Sequence, residues 1–229
     1  MNGSLVSCVL PVFNGERYLE EALQSVFAQT YRPIEVVVVD DGSTDSTAAI
    51  AAAHGDRVLV LQQANAGPSP ATNRGIEAAR GELLAFLDAD DRWPPQKLAL
   101  QAEHLAAHPD IAVVFAHARN FWIPELRQEE ARYAGHRITR PLPAYTRGTM
   151  MARRSAFDAV GGFDPGMAHG EVQEWVLKAR ATGLGIELLP DTLLERRLHP
   201  GNRSRQMQGD SREEFLRLIK RKLDRTRDR

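Results

Sequence analysis

A chain of 229 residues, 43% hydrophobic and 26% charged, has globular composition and length for one large domain or two small ones. Its 29 basic and 30 acidic residues leave a formal charge of -1, so no global field marks it as a binder of nucleic acid or of an acidic membrane surface. The single cysteine, Cys8, excludes an intramolecular disulfide and a thiolate metal cage, and no apolar stretch approaches the roughly 18 residues that span a bilayer.

In chain order, short apolar runs alternate with helical patterns. LVSCVLPVF precedes ERYLEEALQSVFAQ, IEVVVVD precedes STAAIAAAH, RVLVLQQ precedes SPATNRGIEAAR, LLAFLDAD precedes PQKLALQAEHLAAH, and IAVVFAHA follows. Five strand-like runs separated by helices of about 10 to 15 residues predict βαβ units and a largely parallel sheet. The near-continuous Val and Ile of IEVVVVD suit a central strand covered on both faces. Cys8, inside the first run, reads as a buried structural thiol, in a protein expected to be cytoplasmic. MNGS opens the chain without the charged segment and long apolar core of a signal peptide.

Turn signals agree with this division. DGSTDST puts Gly42 at a tight turn with Ser43 or Thr44 as the helix cap, and WPP puts Pro94 or Pro95 at a helix start. From 119 to 147 the rhythm is lost, and an irregular or weakly stranded region is expected. GTMMARRSAFDAVGGFDP then resumes a strand and short helix, EVQEWVLKARATG is a helix closed by Gly183, and IELLPDTLLERRLHP supplies one or two late strands. The tail, SREEFLRLIKRKLDRTRDR, reads as a basic amphipathic helix over about 210–229, with a peripheral place at the inner membrane face as a further option. No repeat, low-complexity segment or linker divides the chain, so one domain is expected over 1–229.

Two strand ends carry acids: Asp40 and Asp41 after IEVVVV, and Asp88, Asp90 and Asp91 after LLAFL. In open α/β sheets ligands bind beyond the carboxyl ends of the strands. If the two strands are neighbours the carboxylates converge, and a divalent cation would relieve their repulsion; such oxygen ligands suit Mg²⁺ or Mn²⁺ bound together with substrate phosphates. On an extended backbone Asp88 and Asp90 would point the same way and Ala89 the other. The plain alternative is that these aspartates cap helices and fill turns. Asparagine turns at further helix entries, FNG at 13–15 and NAG at 65–67, add to the case for a site.

As an ordered set, LPVFNGERYLEEALQSVFAQTY, IEVVVVDDGSTDST, NAGPSPATNRGIEAARGELLAFLDADD, GGFDP and a later acidic helix resemble the inverting nucleotide-sugar glycosyltransferases of the GT-A fold, family 2, over about residues 5–200. The resemblance implies an α/β, Rossmann-like GT-A fold with a mostly parallel central sheet flanked by helices and a small irregular acceptor-side region. It also implies a nucleotide-binding half over about 1–118 and an acceptor-side half over about 119–205. Pro11, Val12 and Phe13 look like the wall around base and ribose, with Asn14, Asn73 and Ala89 beside the donor. Asp41 looks like the carboxylate that reads the base, Asp88 like the acid near the ribose, and Asp90 like the ligand of a metal bridging the diphosphate. In this family a carboxylate at the start of the late acidic helix acts as base on the acceptor.

The chain departs from that pattern twice. The second residue of the expected acidic pair is Val172, leaving Glu171, favoured, and Glu174 as candidate bases three residues apart on one helical face. Thr72 stands where many relatives carry an arginine before the asparagine, and Arg74 follows it. His199 falls where some GT-A enzymes place a late metal or phosphate ligand. His169 is a candidate for the acceptor pocket, Trp175 and Trp93 read as packing residues, and Arg196 and Arg197 as solvated charge.

The expected function is metal-dependent, inverting transfer of a sugar from a nucleotide diphosphate sugar, with UDP as the favoured carrier, to an acceptor that no pattern in the sequence identifies. The alternatives are a sugar-nucleotide-binding relative that has lost its base and, less favoured, a nucleotidyltransferase, which would want a glycine-rich phosphate loop that PVFNGERYL does not supply.

Overall fold

The structure is a computed structural model that describes residues 3–167 and 169–206. The first half alternates as expected: β1 (Val6–Val12), α1 (Leu19–Phe27), β2 (Ile34–Asp40), α2 (Thr47–Ala52), β3 (Leu59–Gln62), α3 (Pro68–Ala78), β4 (Leu83–Phe86) and α4 (Lys97–Ala107). Its strands lie parallel in the order β3-β2-β1-β4. The second half comprises β5 (Ile111–Trp122), α5 (Arg127–Arg132), β6 (Leu142–Ala144), β7 (Met151–Arg153), α6 (Arg154–Val160), α7 (Glu171–Ala181), β8 (Gly185–Leu198) and α8 (Arg203–Gln206).

The expected α/β sheet flanked by helices is present, with one refinement. The fifth run, β5, does not pair with β4; β7 lies antiparallel between them, β6 adds antiparallel to β5, and β8 runs parallel along its other edge. The region from 119 is also more regular than its sequence suggests. β5 continues to Trp122 because its polar end pairs with β8, where Arg119 faces Glu195 and their side chains meet at 2.6 Å. That cross-strand charge pair substitutes for apolar alternation. The basic tail expected over about 210–229 lies outside the described residues.

Period-two alternation sorts the central strands into two cores. Cys8, Leu10, Val36, Val38 and Ala85 face α1 and α4, which contribute Leu19, Leu23, Val26, Leu98 and Leu105. Val9, Leu84 and Phe86 face the opposite way, toward Ile76 of α3, Phe157 of α6 and Trp175 of α7. Trp175 is fully buried, as its packing role predicted. Gly75 lets α3 lie close on the sheet: a Cβ there would stand 2.3 Å from Val9 Cγ1. Cys8 is inert, since burial pushes its thiol up to about 12.

Three buried side chains spaced four apart clamp one backbone segment. Trp93 Nε1 donates to Gly148 O at 2.8 Å, Lys97 Nζ to Met150 O at 3.3 Å and Gln101 Nε2 to Thr149 O at 2.8 Å. Lys97 is fully enclosed, its ammonium lying 3.9 Å from the Trp93 ring centre. Burial pushes its pKa down to about 7, against a weak opposing charge effect from Cys8.

The depressed pKa means that the unfolded chain binds more protons than the native one between pH 7 and the ordinary lysine range, so native stability rises with pH there. In urea denaturation, stability is expected to rise by about 1.5 kcal/mol from pH 7 to 8.5, and Lys97→Met should lack that rise. Equal pH slopes in the two proteins would refute the assignment.

Candidate active site

β1 lies between β2 and β4, with Val12 opposite Asp40 and Val9 opposite Phe86, so the loops leaving these three strands meet on one edge. Pro11 and Val12 are buried at the end of β1, whereas Phe13, just beyond, presents its ring to solvent at 51% exposure. Asn14 sits at φ 49°, a conformation asparagine tolerates, with its backbone N–H donating to Ser43 Oγ and its side-chain Oδ1 accepting from Thr44 N, both at 2.9 Å. Ser43 and Thr44 therefore hold the first loop instead of capping a helix; α2 begins after Ser46.

Asp41 is buried and accepts from Gln63 Nε2 at 2.7 Å, Ala66 N at 2.9 Å and Gly67 N at 2.8 Å. It thereby fixes the NAG turn. A carboxylate has about four acceptor positions, so capacity for one further donor remains.

β4 stops at Phe86, and the acids ride a turn closed by Asp91 N to Asp88 O at 3.0 Å. The strand-like orientation expected for Asp88 and Asp90 therefore does not apply. Ala89 is buried in that turn against the first loop, since a Cβ on Gly15 would lie 3.6 Å from its methyl. Each acid has its own partner. Asp88 Oδ1 accepts from Arg147 Nη2 at 3.0 Å, Asp90 Oδ2 meets His199 Nε2 at 2.9 Å and Asn202 Nδ2 at 3.1 Å, and Asp91 Oδ1 accepts from Arg197 N at 2.8 Å. Burial, reinforced by the charges of Asp90 and Asp88, pushes the Asp91 carboxyl well above the ordinary range. Asp91 is thus an anchor for β8 and caps no helix, because α4 starts only at Lys97.

Gly201 N donates to His199 Nδ1 at 3.2 Å, which leaves the proton of a neutral ring on Nε2, aimed at Asp90. In this tautomer His199 orients Asp90, and its Nε2 offers a lone pair to a cation only after that proton moves. The Tyr18 ring packs against His199 at 4.9 Å between centroids, and its hydroxyl is enclosed without a partner among the described residues. The Asp90 carboxylate, 32% exposed, remains within reach of a polar ligand at this edge. Among the described residues no group of three His, Cys, Asp or Glu side chains gathers to hold a metal; a carboxylate and an imidazole are donors that suit a divalent ion only together with ligands from substrate and water.

Arg147 links these acids to α7. Its guanidinium is 8% exposed, touches Thr72 Oγ1 at 3.4 Å and lies 3.7 Å from Glu171 Oε1. Burial draws its pKa down, but the charges of Asp88 and Glu171 outweigh that and hold it above the ordinary value. Thr72, the position of the missing arginine, thus meets a guanidinium brought from elsewhere in the chain. Glu174 is buried and paired at 2.8 Å with Lys178 on its own helix, with its other oxygen unpartnered among the described residues. Val172 points into the apolar core. Asn73 is committed to the GGF loop: Nδ2 donates to Phe163 O and Oδ1 accepts from Phe163 N, both at 2.8 Å.

Sequence reasoning missed Arg147, Asn202 and Tyr18, and misplaced Arg197. Arg197 is buried between the Tyr18 and Phe121 rings, bonded to Glu21 at 2.6 Å and to Asp90 O at 2.8 Å. A buried charge needs such partners. The alternation RRLH at the end of β8, with Arg197 and His199 on one face, was the available signal. His169 is half-buried near the start of α7. Two grooves, of about 360 and 400 Å³, lie along Tyr31 and Ala102 and along Trp93 and Thr192, and neither is lined by Asp41, Asp88, Asp90 or Glu171.

Residues 7–165 match the sequence profile described as Glycosyl transferase family 2. An uncharacterized glycosyltransferase of Rickettsia typhi, RT0329, is 43% identical over 97 residues, covering 42% of this chain and 30% of the relative. The glycosyltransferase GlyA of Streptococcus pneumoniae is 42% identical over 94 residues, covering 40% of this chain and 13% of the relative. The matches therefore span less than a third of those relatives' own length. Among solved structures, S. aureus TarS 1-349 in complex with UDP-GlcNAc superposes with a TM-score of 0.70 at 24% identity, covering 88% of this chain and 60% of that one. Mannosyltransferase PcManGT from Pyrobaculum calidifontis, in complex with GDP-Man and Mn2+, gives 0.67 at 23%, covering 88% and 59%. At this identity the likeness establishes the fold.

The Asn73 clamp closes two hydrogen bonds across 90 residues of sequence. Asn73→Ala should lower stability by about 2 kcal/mol in urea denaturation; a loss under about 0.5 kcal/mol would show that the clamp carries little.

Proposed function

The chain belongs to glycosyl transferase family 2, and from that premise we propose that it moves a sugar from a nucleoside diphosphate carrier, UDP by preference, to an acceptor hydroxyl or amine with inversion at the anomeric carbon. The observation that carries this reading is the pairing of Asp88 and Glu171 with one buried guanidinium, with Asp90 two residues from Asp88, at the edge where the parallel strands end. UDP is preferred because TarS, a fold neighbour, has been solved with UDP-GlcNAc and with UDP. The residues at the end of β1 would wall the base, with the exposed Phe13 ring as its apolar face, and Asp41 would accept one N–H from the base with its remaining acceptor capacity.

Asp90, oriented by Asn202, would hold Mg²⁺ or Mn²⁺, with His199 Nε2 as the second protein ligand in place of its hydrogen bond to Asp90. When bound, the ion neutralises charge that develops on the departing diphosphate. Glu171, at the first position of α7 and 14% exposed, would take the acceptor proton. Glu174 suits that role less well, because Lys178 already occupies one of its oxygens. Val172, buried in the core, supports a second reading in which the chain binds sugar nucleotide without turning it over. No helix of the described residues is long and apolar enough to cross a membrane.

Calorimetric titration should find UDP binding that strengthens with Mn²⁺ and weakens at least about tenfold in Asp90→Ala. Binding that ignores both the ion and the substitution would remove Asp90 from the site. In an assay of UDP release from UDP-sugars, Glu171→Gln should lose about 100-fold or more and Glu174→Gln little. Equal non-zero rates in wild type and both variants would clear both glutamates of a role, whereas UDP binding with no release in wild type would favour the binding-only reading.

A further inference from the structure

We propose that Arg147 is the positioning residue of this site, fixing the base carboxylate Glu171 against the donor-side acid Asp88. The proposal rests on the glycosyl-transfer reading and adds to it a residue whose role lies between the two halves of the reaction.

The geometry distinguishes the two acids. Asp88 Oδ1 takes a hydrogen bond from Nη2 at 3.0 Å, whereas Glu171 Oε1 stands 3.7 Å from Nη1. At 3.0 Å the carboxylate is held; at 3.7 Å it has an ionic contact and keeps its lone pairs for a proton. One guanidinium therefore does two things: it locks Asp88 and keeps Glu171 aimed and available. Thr72 Oγ1, at 3.4 Å from Nη1, supports the same nitrogen. A planar fork with several donors can serve two carboxylates at once, which a lysine ammonium on a flexible stem does poorly.

The guanidinium is also placed by rigid backbone. The three residues after Arg147 have their carbonyls held by Trp93, Gln101 and Lys97. Thr149 Oγ1 closes the turn by donating to Ala144 O at 2.6 Å, with Thr146 O 3.1 Å away. The side chain reaches the acids from a segment that has little freedom left, so its orientation precedes substrate binding. Glu174 has no such arrangement, since its cation, Lys178, lies on the same helix and does not connect it to the donor side.

The test is a double-mutant cycle in the full chain, with UDP-glucose and UDP-GlcNAc as probe donors, Mn²⁺ present, and UDP release to water as the readout. Arg147→Ala and Glu171→Gln should each lower kcat about 100-fold with a much smaller change in KM, and the double variant should be no slower than the worse single. Arg147→Lys, checked to melt like wild type, should recover less than a tenth of the lost rate. Additive losses, full activity of Arg147→Ala, or full rescue by lysine would each overturn the role of Arg147, with wild-type UDP binding and release intact. A wild-type protein that neither binds UDP nor releases it from either donor would instead overturn the glycosyl-transfer reading, and this proposal with it.

Discussion

The crowding of Asp88, Asp90 and Asp91 at the end of β4 is the constraint on which the rest of the molecule turns. Three carboxylates within four residues repel, and at this sheet edge Asp91 is buried while Asp88 and Asp90 are only partly exposed, so less water screens them. The chain answers with four partners, all from its second half: Arg147 for Asp88, His199 and Asn202 for Asp90, and the Arg197 amide for Asp91. The compensation thus brings the segment before β7 and the end of β8 back to the parallel strands. Arg197 extends this by tying β8 to α1 through Glu21 and by packing between two aromatic rings. The contacts that hold the second half on the first are therefore also contacts of the site.

How much of this the sequence disclosed depends on whether the signal is local. The strands β1 to β4 and the helices between them were legible because period-two and helical patterns repeat within a dozen residues, and the cores show why: Val9 and Val37 face one way, Cys8 and Val38 the other. The insertion of β7 between β4 and β5 was not legible, since a three-residue strand has no period of its own. The polar end of β5 was hidden for a different reason: its stability comes from Glu195, 76 residues away.

The site divides along the same line. The acids announced themselves by position after apolar runs, whereas the basic partner that makes them tolerable sits 59 residues downstream in a stretch without rhythm. Asn73 illustrates the converse. It lies within a recognisable motif, yet its amide makes two hydrogen bonds to the Phe163 backbone, so the motif marks a fold contact there. Thr72 next to it explains a departure that looked like a loss: the hydroxyl leaves room for the Arg147 guanidinium, so positive charge at this spot is retained from a different part of the chain.

Lys97 shows how far the demands of the site reach into the core. A methionine would fill the same space without the desolvation that drives the ammonium pKa down to about 7. Yet it would leave Met150 O without its donor and remove the middle member of the Trp93, Lys97, Gln101 series. The segment so held carries Arg147 at its head, and a shift of a few tenths of an ångström there changes whether Glu171 stands at ionic distance or at hydrogen-bond distance. A buried amine that costs stability at neutral pH therefore makes sense as the price of fixed backbone beneath the charged edge.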